Sequence, residues 1–426
     1  MSKAHTVVTG DTFVSISVKY YGTYSKWTSI RNANPQLASR NKAGDGTPLI
    51  FPGDILIIPE ELEIPAAVAN GTPSILDERA ARDISIFIDG KLFTGFTGYR
   101  LTLPIDTMDA FSFSAPWQDD IDELHKVFQP FKFKQCAVYY DRELVFSGRL
   151  LTSAPEVSPE SKTITIQGYP LCGVLSDCCI PESKYPPAYA GMTLQDIATD
   201  AAEPFGIEVE FDRSSGDEFA DVAYEPGTKI LDFLKKLAEQ RGFIFTNTPY
   251  GMLRFWQPQA EAVSATFGEG SLPYISCKPT FAAQGLYSHV TGFTKTAEEA
   301  DATSYTYENK YLIKAGIFRP LSFTAADADS GSIEAAVLAQ VGRMYADCMS
   351  YELTVVGHRD KNGNLYRKNM MISIYSPGAM IYRDTRLQVY QVDLVRSDTE
   401  GDQAIFKLIL PGSMDGEIPE VLPWDE

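Results

Sequence analysis

The stretch H-T-V-V-T-G-D-T-F-V-S-I-S-V-K-Y-Y-G at residues 5–22 decides how this chain is read, together with S-K-W-T-S-I-R-N-A-N-P at 25–35 and L-I-F-P-G-D-I-L-I-I-P at 49–59. A short β run from His5 to Val8 ends at the turn Thr9-Gly10-Asp11. Asp11 or Thr12 can then cap a helix that carries Phe13, Ile16 and Tyr20 at helical spacing. A second short helix around Trp27 and Ile30 stops at Asn34-Pro35, because the residue before proline is pushed out of the α region. Pro52-Gly53-Asp54 turns the chain into a second strand, Ile55 to Ile58.

This βααβ order, with G-D-T after the first strand, N-P after the second helix and a closing P-G-D, resembles a LysM domain. LysM domains bind N-acetylglucosamine polymers in a groove between the loop after strand one and the loop after helix two. The resemblance implies a groove formed here by Gly10, Asp11, Thr12, Asn34, Pro35, Ile50, Phe51 and Pro52. These residue types also serve turns and packing. The loop from Gln36 to Pro48, with Arg40, Asn41, Lys42 and Asp45, is longer than usual and stands on a groove wall, so sugar binding and protein docking are both carried forward.

A chain of 426 residues is too long for one compact domain and points to three or four. Its 56 acidic against 37 basic residues give a formal charge of −19, which argues against a nucleic-acid-gripping surface, since phosphate binding needs clustered Lys and Arg. Met1 to Ala4 leads into polar residues with no apolar h-region, and no apolar run is long enough to span a membrane. The expectation is a soluble protein made in the cytoplasm, without membrane insertion. Six cysteines and four histidines without metal-ligand spacing predict small reduced core thiols, no metal and no cofactor.

Past the module, residues 61–82 read as a linker rich in Pro, Ala, Glu and Gly. A first β domain, 83–182, has strands at Ile84–Ile88, Lys91–Phe93, Gly98–Leu103, Ala110–Ala115, Gln135–Tyr140, Glu143–Leu150 and Thr163–Gly168, with Asp89-Gly90 as a type I′ hairpin signal and one helix within Asp119–Phe128. An α+β unit, 183–261, carries a helix capped by Thr193 and another opened by Pro226-Gly227-Thr228, with Ile230, Leu231, Leu234, Leu237 and Ala238 on one face. Twelve acidic against four basic residues between Asp196 and Glu239 predict a solvated acidic face. A second β domain, 262–412, has a helix from Ser332 to Cys348 among its strands, and an acidic arm, 413–426, is expected to be extended or disordered. The fold class is multidomain and mainly β with α+β parts: the N-terminal βααβ module, then two barrel-like β domains flanking a small α+β domain.

No metalloprotease, nucleophile-elbow, phosphate-loop or dinucleotide signature occurs. Carboxylates are abundant, but none is marked as one of a glycosidase pair, so no catalytic residue is assigned. The histidines read as surface or packing residues.

The order β domain, acidic α+β unit, β domain resembles the baseplate hub proteins of contractile phage tails, of late-control protein D or phage Mu type. The resemblance rests on L-V-F-S-G-R-L at 144–150, I-T-I-Q-G-Y at 164–169, G-T-K-I-L-D-F-L-K-K-L-A-E-Q-R-G-F-I-F at 227–245 and the closing strands N-M-M-I-S-I-Y-S-P-G, L-Q-V-Y-Q-V-D-L-V and A-I-F-K-L-I-L-P-G. It implies a structural, non-enzymatic hub of a phage or tailocin. Three chains with two like β modules each would form a homotrimeric ring that adapts a hexameric tail tube to a trimeric central spike. Implied partners are the tube, the spike and wedge or sheath proteins. DNA would pass through without specific binding, and the hub would be assembled in the host cytoplasm into the virion tail baseplate. The chain after Pro411 is too short for a fused barrel or needle, so the spike is expected to be a separate protein. Two other readings stand beside this one: a peptidoglycan-binding or peptidoglycan-degrading wall protein, and a distal tail or adhesin protein of a non-contractile phage.

Overall fold

The computed structural model describes residues 3–8, 11–21, 30–31, 34 and 50–58 of the N-terminal module. Beyond it, residues 84–424 are described except 94, 118–121, 141–142, 188, 220–221, 260–261, 269–270, 295–302, 325–332, 398, 415–417 and 419–421. The expected linker, 61–82, lies outside the described residues.

In the module, β1 (Lys3–Thr6) pairs antiparallel with β2 (Ile55–Ile58), Thr6 opposite Ile55. The first strand ends earlier than its composition suggests, because Val7 leaves the ladder. Its N–H bonds the Asp54 carbonyl and its own carbonyl accepts from Gly53, tying the strand end to the Pro52-Gly53-Asp54 turn. The helix Phe13–Tyr21 presents Phe13 and Ile16 to a small core with Val7, Ile30, Leu56 and Ile58. Trp27 lies outside the described residues.

The remaining strands are β3 (Ile84–Ile88), β4 (Lys91–Phe93), β5 (Gly98–Pro104), β6 (Ala110–Pro116), β7 (Gln135–Tyr140), β8 (Glu143–Val157), β9 (Lys162–Pro170), β10 (Val209–Phe211), β11 (Ile244–Asn247), β12 (Leu253–Trp256), β13 (Val263–Gly268), β14 (Ser276–Phe281), β15 (His289–Phe293), β16 (Ser304–Glu308), β17 (Pro320–Thr324), β18 (Met349–Val356), β19 (Met371–Ser376), β20 (Ile381–Ser397) and β21 (Gly401–Ile409). The β3–β4 hairpin turns at Asp89 and Gly90, φ 48° and 76°, the pair of positive angles a type I′ turn requires. Strand β8 runs to Val157, well past the expected end at Leu150, and passes through Pro155. A proline is tolerated in an edge strand when its missing N–H faces away from the partner.

Among the described residues, thirteen strands form one sheet. Its main path is β14-β18-β21-β20-β5-β6-β9-β8-β7-β3-β4, with β19 on β20 and β13 on β19. The β segments of 83–182 and 262–412 are therefore joined edge to edge through β5 and β20. They also share an apolar core that contains Ile86, Phe113 and Phe146 from the first and Tyr351, Val392 and Phe406 from the second.

Setting aside the short β4 and the inserted β15–β17, each segment contributes a six-strand lobe. The spatial orders are β5-β6-β9-β8-β7-β3 and β14-β18-β21-β20-β19-β13. Numbered by position along the chain within each lobe, both read 2-3-6-5-4-1. The fifth strand is long in both, 15 residues in β8 and 17 in β20. Each carries a register shift at the same place, between Leu150 and Thr152 in β8 and between Val389 and Gln391 in β20. One pairing differs: β3 runs antiparallel to β7, whereas β13 runs parallel to β19.

Between the lobes sits the α+β unit, with β10-β12-β11 as its sheet. Thr193 caps the helix Leu194–Ala202 in a reciprocal box with Asp196. The helix Ile230–Gln240 starts beyond the Pro226-Gly227-Thr228 expected to open it, since Gly227 has φ +92°, which no helix residue adopts. Its five expected inward residues are all buried, together with Phe233. Each large apolar side chain fully buried on this face contributes about 1.5–3 kcal/mol to the unit. The inserted sheet β16-β15-β17 is covered by the helix Ile333–Cys348 through Val337, Val341, Met344 and Tyr345. Of the expected C-terminal arm, Ile418 packs on the core of the inserted sheet and Leu422 on the core shared by the lobes, and Trp424 meets Phe281 edge-on with ring centroids 5.2 Å apart.

Candidate docking site

The expected groove residues divide into those that hold the module together and those that face outward. Asp11 belongs to the first group. Its Oδ2 accepts the Val8 N–H at 2.9 Å and lies 2.7 Å from His5 Nε2, while His5 Nδ1 lies 3.0 Å from the Tyr20 hydroxyl. Burial pushes this carboxyl up, but the Val8 N–H and His5 outweigh it and hold it below the usual carboxylate range. The His5–Asp11 pair has the form of a base and its orienting acid. Both ring nitrogens of the buried His5 nevertheless point at groups inside the module, so the pair serves as a structural tie.

Asn34 is 1% exposed. Its Nδ2 donates to the Ile30 carbonyl at 2.7 Å and the Ile57 carbonyl at 2.8 Å, and its Oδ1 accepts from Ile57 N–H at 2.7 Å. One amide side chain thus links Ile30 to the outer edge of β2. Of the two candidates, Thr12 is the residue that caps the helix: its Oγ1 accepts from Ser15 N–H at 3.0 Å, and Ser15 Oγ accepts from Thr12 N–H at 2.8 Å. Asp54 Oδ2 accepts from Phe51 N–H at 2.8 Å and shapes the turn that presents Phe51 and Pro52.

Thr12, Phe51 and Pro52 are exposed and Ile50 is half-buried. Gly10 and Pro35 lie outside the described residues. Beside the described groove residues, Val8, Ile55 and Ile57 are exposed as well, the two isoleucines on the face of β2 turned away from the module core. The surface on offer is therefore mainly apolar. The two most polar groove side chains, Asp11 and Asn34, spend their bonding capacity internally.

Beyond the module, sequence reasoning missed a buried polar junction that ties three segments together. Lys368 Nζ donates to Asp109 Oδ1 at 2.7 Å and to Thr246 Oγ1 at 2.6 Å, and Asn247 Nδ2 donates to Asp109 Oδ2 at 2.8 Å. Trp256 Nε1 donates to the Ile105 carbonyl at 3.0 Å beside it. These residues come from the first lobe, the α+β unit and the second lobe, so no local pattern announces them. Of the histidines read as surface or packing residues, His358 is a packing one. It is buried between the Tyr99 and Tyr140 hydroxyls with Nε2 3.0 Å from the Val395 carbonyl, and burial lowers its pKa.

The cysteines are all free, and Cys136, Cys172 and Cys348 are buried. Among the described residues, no group of three or more His, Cys, Asp and Glu can hold a metal ion. No helix among them is long and apolar enough to cross a membrane.

Residues 5–59 match the LysM domain family, and residues 172–257 match the family described as baseplate hub protein gp44-like, second domain. Over 336 residues the chain is 22% identical to baseplate hub protein gp44 of Escherichia phage Mu, covering 75% of this chain and 85% of that protein. The 43 kDa tail protein of prophage MuSo2 from Shewanella oneidensis aligns at 21% identity with a TM-score of 0.65, over 78% of this chain and 99% of that one. A tail protein from Neisseria meningitidis aligns at 18% identity with a TM-score of 0.66, over 79% and 99% of the two chains. At these identities the structural likeness establishes a shared fold.

Proposed function

We infer that the chain is a structural baseplate hub protein of a contractile phage tail, carrying a LysM domain at its N-terminus. In this reading three copies form a ring that adapts a hexameric tail tube to a trimeric spike. The observation that carries it is the repeated lobe: two six-strand lobes of the same strand order in one chain give six near-equivalent surfaces in a trimer, matching a sixfold tube on one side while the chains keep threefold symmetry on the other. The repeat is an observation of this chain; the ring is the reading it supports.

The charge balance agrees with a channel that lets DNA through. With −19 overall, and with Arg100 on Asp393, Lys278 on Glu352 and Arg396 on Asp402, these cations of the large sheet face a carboxylate of the same chain before any phosphate reaches them. In the virion the tube, the spike and wedge or sheath proteins are the partners, and the LysM module docks on one of the outer ones. Its exposed Thr12, Phe51 and Pro52 with half-buried Ile50 form an apolar patch suited to a protein surface.

Light scattering on the purified chain is expected to give three times 47.1 kDa, and electron micrographs a ring with a central channel. A stable monomer at micromolar concentration overturns the reading. The match of 5–59 to LysM favours a second reading, a peptidoglycan-binding or peptidoglycan-cleaving protein. Titration with chitooligosaccharides and zymography on cell walls test it, and a null result in both removes it.

A further inference from the structure

The two lobes within one chain meet where β20 lies antiparallel to β5, with Val392 opposite Leu103, Leu394 opposite Leu101 and Arg396 opposite Tyr99. In the shared strand numbering this seam joins strand 5 of the second lobe to strand 2 of the first. Every chain therefore retains an unused pair of the same kind: strand 5 of the first lobe, which is β8, and strand 2 of the second, which is β14. Among the described residues, β14 pairs only with β18, and residues 152–157 of β8 pair only with β9.

The registers fix which residues correspond. The bulge in the fifth strand sets Thr152 beside Gln391 in the comparison, hence Ala154 with Asp393 and Glu156 with Val395. Pairing through β6 and β18 sets Gly98 with Ser276, Arg100 with Lys278, Leu101 with Pro279 and Leu103 with Phe281. An irregular bond confirms the alignment: Thr97 N–H donates to the Ser114 carbonyl and Ile275 N–H to the corresponding Thr354 carbonyl. Apolar side chains remain part-exposed at the unused edges, Phe281 even with Trp424 of the same chain edge-on against it. Leu103 is 7% exposed, whereas its counterpart Phe281 is 40% exposed, and Val157 at the end of β8 is 62% exposed.

We propose that residues 152–157 of β8 in one chain lie against β14 of a second copy, in the register of the intrachain seam, so that three interchain seams alternate with three intrachain ones and close the ring. This rests on the trimeric hub reading and gives its contact. In that register Glu156 stands opposite Lys278, Ala154 opposite Thr280 and Ser153 opposite Phe281, and the opposite charges facing each other favour the pairing.

The new seam is not a copy of the old one. Ile105 N–H bonds the Tyr390 carbonyl, which places residues 101, 103 and 105 on the hydrogen-bonding side toward β20. At the place of Leu394 opposite Leu101, the interchain seam has Pro155 opposite Pro279. Neither proline has an N–H, so both backbone bonds of that pair are missing and the strands stand apart there. Backbone bonding is left to Ser153 with Phe281 and Val157 with Cys277 on either side. The same prolines keep the bare edges from adding a foreign strand before assembly.

Disulfide capture in the full-length chain tests this. Positions 154 and 280 form a non-hydrogen-bonded pair, whose Cα atoms lie about 4.5 Å apart in an antiparallel ladder, within reach of a disulfide. Under mild oxidation, Ala154→Cys combined with Thr280→Cys is expected to yield a covalent trimer on a non-reducing gel, and Glu156→Cys combined with Lys278→Cys the same. Each single variant, and Ala154→Cys combined with Ser276→Cys four residues out of register, is expected to stay at the monomer band. A chain that is trimeric by light scattering but gives no cross-link with either pair overturns the seam and leaves the trimer standing. A monomer overturns both. A cross-linked ladder that continues past the trimer overturns ring closure.

Discussion

Lys368→Ala tests whether the buried junction holds the two lobes and the α+β unit in one arrangement. In the folded chain the Lys368 ammonium lies 2.7 Å from Asp109 Oδ1, and the Asp109 side chain is 3% exposed. Without the ammonium, the carboxylate keeps the Asn247 amide at 2.8 Å but has no counter-charge. Breaking a buried ion pair from one side costs about 3–5 kcal/mol. The carboxyl can escape part of this by taking up a proton, because burial already pushes its pKa up against the opposing pull of Lys368. A folded pKa above the unfolded value of about 3.9 means that the favourable contribution is present below about pH 4 and is lost as pH rises through the folded value. The penalty of Lys368→Ala is therefore expected to be small near pH 4 and full at pH 8. Combining Asp109→Asn with Lys368→Met removes both charges and is expected to recover all but about 1 kcal/mol. Denaturant unfolding read by Trp256 fluorescence measures this, since its indole N–H bonds the Ile105 carbonyl at the same junction. The reasoning fails if Lys368→Ala matches the parent at pH 8, or if its penalty grows toward acid.

Asn34→Ala leaves two carbonyls and one N–H of the LysM module without their buried partner and is expected to cost about 2–4 kcal/mol, seen as faster hydrogen exchange in the module with the hub unchanged. Phe51→Ser alters an exposed side chain, so stability is expected to change by less than about 0.5 kcal/mol while incorporation into baseplates is lost, and before any loss of chitooligosaccharide binding. Burial lowers the pKa of His358, so its contribution to stability is present above about pH 6.5 and is lost as pH falls through the folded value. Replacing His358 with Gln is expected to flatten the acid limb of a melting-temperature profile. A Cβ at Gly148 would stand 2.0 Å from the Tyr169 carbonyl oxygen, so Gly148→Ala is expected to cost at least about 1–3 kcal/mol and to lower the melting temperature of the hub.

The sequence was most legible where structure depends on neighbours along the chain. The turn Pro52-Gly53-Asp54, the Asp89-Gly90 hairpin and the Thr193 cap are each set within a few residues, and each occurs as the residue types require. The groove was harder to read, because residue type does not say where a polar side chain spends its bonds. Asp11 and Asn34 looked like ligand contacts and turned inward, while apolar Phe51 stayed out. The Asp109–Lys368 junction spans 259 positions and Asp109–Asn247 spans 138, distances over which no periodicity carries a signal.

The repeat was legible only as two β modules of like element order, and its strand-by-strand correspondence was hidden for a different reason. What the lobes share is burial at corresponding positions, Phe111 with Tyr351, Phe113 with Leu353 and Ala115 with Val355, and packing accepts any apolar side chain of suitable size there. The insertion of β15–β17 and its covering helix between the second and third strands of the later lobe also displaces the spacing. The two copies differ most at their edges. The seam within the chain has Leu394 opposite Leu101 and the Arg100–Asp393 ion pair, whereas the corresponding outer edges have prolines at 155 and 279. A ring of six identical seams would be a hexamer in all but connectivity and would offer a trimeric spike no preferred orientation. In the proposed ring, two kinds of seam in alternation would keep the six lobes alike enough to meet a sixfold tube while reducing the true symmetry to threefold, and the prolines that break the ladder would then mark three of the six seams for a trimeric spike.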